Sequence, residues 1–141
     1  MNYSFSKYAK TKEGYYGPTS KANFYESIYY HRLRAKPMKG KNRWSMEENE
    51  EFGVFKCADE NDWLCFEQQA FFSIVENGKV TLGTEGERLA MFRVPTNGNT
   101  VYHGFPVNSS EHRPSSELLD KWQANNVVTR PIRMRIERSQ L

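Results

Sequence analysis

Arg88-Leu-Ala-Met-Phe-Arg-Val94, Pro95-Thr-Asn-Gly-Asn99 and Thr100-Val-Tyr-His-Gly-Phe-Pro-Val107 follow one another in the chain. The outer two pieces carry β-branched and aromatic residues, which suit a pleated, half-buried surface. The middle piece gathers Pro, Asn and Gly, which make turns at little steric cost. Two strands joined by a short loop are therefore predicted. Upstream, residues 71–76 and 79–83 flank Asn77-Gly78, a hairpin signal because a type I′ turn needs positive φ at both central positions. The spacing of Trp63, Phe66, Ala70 and Ile74 leaves a helix before that turn as an open alternative. Residues 52–57 read as a further strand.

N-terminal to these strands, the sequence predicts a helix over 23–36. Asn23 stands as N-cap, with Glu26 three residues on as in a capping box. Phe24, Ile28, His31 and Ala35 then share one stripe, Tyr25, Tyr29, Arg32 and Lys36 form the next, and Pro37 ends the run. On the C-terminal side, Ser115 and Ser116 precede an amphipathic run from Glu117 to Trp122 that stops near Asn125-Asn126. The last segment reads two ways. Ile132, Met134 and Ile136 alternate with Arg133, Arg135 and Glu137, as in a strand. Thr129 as cap and Pro131 in the first turn argue for a helix, which is favoured.

These elements predict an α+β fold, with a small antiparallel sheet, a helix near the N-terminus and one or two helices at the C-terminus. Residues 1–141 read as one domain, with 1–19 a possible flexible arm containing Gly14, Gly17 and Pro18. A chain of 141 residues with nine Phe, eight Tyr and three Trp has enough large apolar side chains for a core. The first residues lack a basic stretch followed by an apolar run, and no stretch approaches a membrane span, so a cytoplasmic protein with no membrane partner is expected.

Charge is segregated although the net charge is only +3. Residues 1–44 carry ten Lys and Arg against Glu13 and Glu26, whereas residues 45–62 carry seven acids against Lys56 alone. A basic block interleaved with rings is what nucleic-acid contact needs, because cations neutralise phosphates and rings stack on unpaired bases. Lys7, Lys10, Lys12, Arg32, Arg34, Lys36, Lys39, Lys41 and Arg43 are the candidate phosphate contacts, with Tyr25 and Tyr29 as stacking rings. The acidic block offers a competing use for those cations, as internal ion-pair partners.

The chain contains no P-loop, no G-x-G-x-x-G, no H-E-x-x-H and no G-x-S-x-G. Cys57 and Cys65 lie among Phe55, Leu64 and Phe66 with no C-x-x-C spacing, so they read as inert thiols, and no metal or cofactor is expected. Glu47, Glu48, Glu50 and Glu51 read as a solvated acidic turn. Among the histidines, His31 falls on an apolar stripe and reads as a core residue, and His112 lies in a polar loop. His103 sits where a strand meets Gly104 and Pro106, and is the catalytic candidate, with Tyr102, Arg93 or Glu87 nearby.

The reading favoured by the sequence is a non-catalytic binding protein whose partner is nucleic acid or an acidic protein surface. One alternative is a protein–protein adaptor, inhibitor or immunity-type factor, with a homo-oligomer as a variant. Another is a small enzyme with a pocket near His103.

Overall fold

A computed structural model describes residues 10–75 and 81–141. Five strands form one sheet: β1 (Phe24–Tyr25), β2 (Leu64–Cys65), β3 (Ala70–Ile74), β4 (Leu89–Arg93) and β5 (Val101–Val107). The helices are α1 (Glu48–Glu60), α2 (Ser116–Ala124) and α3 (Arg130–Glu137). The spatial order is β1-β5-β4-β3-β2. β2 to β5 pair antiparallel, and β1 adds to β5 in parallel. The fold is α+β. Among the described residues no helix is long and apolar enough to cross a membrane.

β4 and β5 form as their sequence predicts, with Arg93 opposite His103 and Leu89 opposite Val107. Asn97 and Gly98 turn the loop between them with φ of 59° and 71°. β3 pairs with β4 from Ala70↔Arg93 to Ile74↔Leu89. The Asn77-Gly78 turn lies outside the described residues. Residues 81–83 contribute only an isolated bridge between Gly83 and Trp44, and residues 62–75 hold β2 and β3 rather than the alternative helix.

The first helix lies later than the spacing predicts. Residues 23–36 contain β1 and a single 3-10 turn at Tyr29–His31, bounded by extended backbone at Ile28 and Arg32. The run Phe24 to Tyr30 is dense in aromatic and β-branched residues, which favour strand over helix. Asn23 caps nothing here; its amide donates to the Asp59 carboxylate at 3.1 Å. The helix of this half is α1, which replaces the strand read over 52–57. Glu47 and Glu50 form its capping box, and Glu48, Glu50 and Glu51 lie in its first turn. Carboxylates there face the positive end of the helix dipole, so the acidic run is a helix start rather than a loose turn.

The core forms where α1 meets one face of the sheet. Phe55 of α1 packs against Tyr25 at 5.7 Å, Phe92 at 5.3 Å and Tyr102 at 4.9 Å between ring centres. Gly104 makes the close approach possible, since a Cβ there would overlap the Phe92 ring and stand 2.9 Å from the Met91 carbonyl oxygen. The other face is buried at Phe72, Ile74, Leu89 and Met91 and opens to solvent at Arg93 and His103. Ser115 and Thr129 cap α2 and α3 through their hydroxyls, with Pro131 in the first turn of α3. Trp122 of α2 meets Trp63 edge to face at 5.8 Å.

Candidate functional site

The open end of the outer sheet face carries a groove of about 420 Å³, lined by Ile28, Tyr30, His31, Arg93, Thr96 and Phe105 among others, with His103 beside them. Strand alternation sets its floor. His103 and Phe105 are two apart on β5 and so share a face, and Arg93 of β4 lies directly across from His103. The 3-10 turn supplies the facing wall. There the His31 ring stacks on Phe105 at 5.1 Å with 14° between planes, and His112 approaches Phe105 edge-on at 6.0 Å. All three histidines of the chain thus gather around Phe105.

Each imidazole is held differently. Nδ1 of His31 bonds the Asn42 carbonyl oxygen, which requires the proton on Nδ1. Burial pushes its pKa below the usual histidine value; the Asn42 bond opposes that shift and the Lys41 charge adds to it. His103 is exposed and has Nδ1 3.6 Å from a Glu26 carboxylate oxygen. The pKa of His112 is lowered by burial and by the charge of Arg93.

The basic block divides into two groups. Lys10 lies 2.9 Å from Glu48, Arg32 lies 3.5 Å from the same carboxylate, Arg34 lies 2.7 Å from Glu47, and Lys21 lies 2.8 Å from Asp62. The acidic block therefore neutralises this part internally. Lys36, Lys39 and Lys41 are exposed and, among the described residues, have no carboxylate within ion-pair distance. The Lys41 ammonium sits 4.8 Å from the centre of the Tyr30 ring, and Tyr30 lines the groove. Arg43 donates to the Ala35 carbonyl at 3.1 Å and so ties the two ends of this loop together. Lys12 is exposed, and Lys7 lies outside the described residues.

The chain matches no protein-family model, no curated protein and no solved structure.

Tyr25 is fully buried and is no stacking ring for a partner. Its hydroxyl donates to Glu51 at 2.7 Å, and Ser27 donates to the other carboxylate oxygen at 3.1 Å. Burial raises the Glu51 pKa to about 8, against the lowering effect of those bonds and of Arg32. This carboxyl is sealed from solvent, so it holds β1 to α1 and offers nothing to a ligand. Tyr29, by contrast, is 68% exposed and meets Tyr30 edge to face at 5.1 Å. Tyr102 points into the core, and Glu87 is buried in the turn it closes by accepting from the Glu85 amide. Of the groups placed near His103 from sequence, only Arg93 is its neighbour. Tyr30, His31 and Phe105 complete the groove, with Glu26 beside His103, and their meeting has no local signal in the sequence.

A second cavity of about 580 Å³ lies between Gln68, Arg113 and the start of α2. Its one cation, Arg113, already donates to the Glu137 carbonyl at 2.6 Å, and Glu67 and Glu137 make its walls acidic.

Proposed function

We propose that the chain binds single-stranded nucleic acid along a path that runs from the 36–41 loop into the groove at Arg93 and His103. The observation that carries this reading is Lys41 seated over Tyr30 on the groove wall, with Lys36 and Lys39 unpaired beside it among the described residues. A polyanion needs unpaired cations, and an unpaired base needs an apolar slot with a ring. Phe105, Ile28 and Tyr30 supply the slot, while Tyr29 offers a second exposed ring. A double helix keeps its bases stacked inside and has no use for such a slot. An acidic protein surface would use the cations and leave the slot idle, so it is the weaker reading.

Titration of labelled single-stranded and duplex oligonucleotides at two salt concentrations tests this. Single strands should bind more tightly than duplex, and affinity should fall steeply with salt. Equal affinity for both forms, or none for either at low salt, would contradict the reading.

A further inference from the structure

The groove places two imidazoles and a guanidinium around one apolar floor. His31 stacks on Phe105 at 5.1 Å, and His103 is two residues from Phe105 on the same face of β5, about 7 Å along the strand. Arg93 is the cross-strand neighbour of His103. Each ring presents one nitrogen. Nδ1 of His31 is committed to the Asn42 carbonyl, which leaves Nε2 without a partner among the described residues on the groove wall. Nδ1 of His103 faces Glu26 at 3.6 Å, which leaves its Nε2 for a ligand.

We propose that this groove cleaves single-stranded RNA, with His31 as general base, His103 as general acid and Arg93 holding the phosphate. The proposal rests on the single-strand reading above. A phosphodiester seated at Arg93 shares the groove with both imidazoles, His103 across the strand pair and His31 stacked on Phe105. His31 Nε2 accepts the proton of the ribose 2′-hydroxyl. The 2′-oxygen forms a bond to phosphorus, and the bond from phosphorus to the 5′-oxygen breaks. Protonated His103 gives its proton to that leaving oxygen. The products are a 2′,3′-cyclic phosphate and a 5′-hydroxyl, and no further reactant is consumed. Arg93 offsets the charge that develops on the non-bridging oxygens. The environment separates the two roles. Burial keeps His31 neutral, as a base must be, while the Glu26 carboxylate stands where it can accept from Nδ1 of His103 and orient that ring. Tyr30 also lines this space, and the nearby titratable groups are Glu26 beside His103, His112 against Phe105 and Lys41 over Tyr30.

The test follows end-labelled single-stranded RNA under single-turnover conditions with saturating full-length protein in EDTA. A 2′-O-methyl copy of the same sequence is titrated in parallel. RNA should be cut to products ending in 2′,3′-cyclic phosphate, and the 2′-O-methyl strand should bind and stay intact. His103→Gln changes an exposed side chain, so the fold survives, and it should slow cleavage about 100-fold. His31→Gln should do the same, with its melting curve checked because His31 is packed. RNA that binds and remains intact would overturn the catalytic proposal and leave the binding reading standing. Failure of both strands to bind would overturn the binding reading itself. Cleavage undiminished in His103→Gln would assign the activity to a contaminant and overturn the proposal.

Discussion

Lys41 holds its ammonium 4.8 Å from the centre of the Tyr30 ring, and Tyr30 lines the same groove as Arg93 and His103. A cation over a ring in this way contributes about 1 kcal/mol at an exposed site. It also fixes a positive charge where the basic loop meets the apolar slot. The positions that matter for an anionic ligand are therefore the unpaired lysines, not the whole basic block.

That distinction can be measured. Removing one cation that neutralises a phosphate should lower the slope of log affinity against log salt by about 0.7 for a single strand. The triple variant Lys36→Gln, Lys39→Gln, Lys41→Gln should lower the slope by about 2. The double variant Arg32→Gln, Arg34→Gln removes cations already satisfied by Glu48 and Glu47, so it should change the slope much less. Fluorescence anisotropy over a salt series compares the two. The reverse order would mean that the internal ion pairs open for the ligand.

Much of the fold was legible because its signals are local. β4 and β5 show aromatic and β-branched runs on either side of Asn97-Gly98, and α2 and α3 show caps at Ser115 and Thr129. α1 was hidden because its buried face includes Glu51 and Asp59, both fully enclosed. Two carboxylates on the inner stripe erase the apolar period on which a helix is recognised. They are tolerated because Tyr25, Ser27, Thr19 and Asn23 satisfy them. The opposite error arose at residues 23–36, where Phe24, Ile28 and His31 share helical spacing by coincidence. Their side chains are used by β1 and the groove instead. Of the candidate site, His103, Arg93, Tyr29 and the loop lysines Lys36, Lys39 and Lys41 were legible in the sequence. The stack of His31 on Phe105 joins residues distant in the chain, and only the tertiary fold brings them together.

Gly104 should be intolerant of any side chain. A Cβ at that position meets the Phe92 ring and the Met91 carbonyl, and Phe92 is fully buried against Phe55. Gly104→Ala is expected to destabilise by about 1–3 kcal/mol, as overpacking does in other cores. Combining it with Phe92→Leu should recover part of the loss, since the second change makes room. Urea denaturation provides the comparison. A strictly additive double variant would show that the two positions do not meet.

Glu51 should make stability depend on pH in a stated direction. Its pKa rises from the ordinary 4.5 to about 8 in the folded state. The folded chain therefore keeps a proton that the unfolded chain releases. The contribution is fully present below about pH 4.5 and is lost as pH rises through about 8, on the order of a few kcal/mol. Glu51→Gln cannot ionise and still accepts from Tyr25. It should flatten this part of the profile and, relative to the parent, be more stable at pH 9 than at pH 5. Thermal melts of both proteins across that range measure it. A variant profile parallel to that of the parent would remove Glu51 as the source.

A titration of isotope-labelled protein with a short single-stranded 2′-O-methyl oligonucleotide, followed by amide chemical shifts, decides whether the groove is the binding site. Shifts should concentrate at Tyr30, His31, Lys41, Arg93, His103 and Phe105, and be small around Gln68 and Arg113. Shifts centred on the Gln68–Arg113 cavity, or none at all at low salt, would rule the groove out.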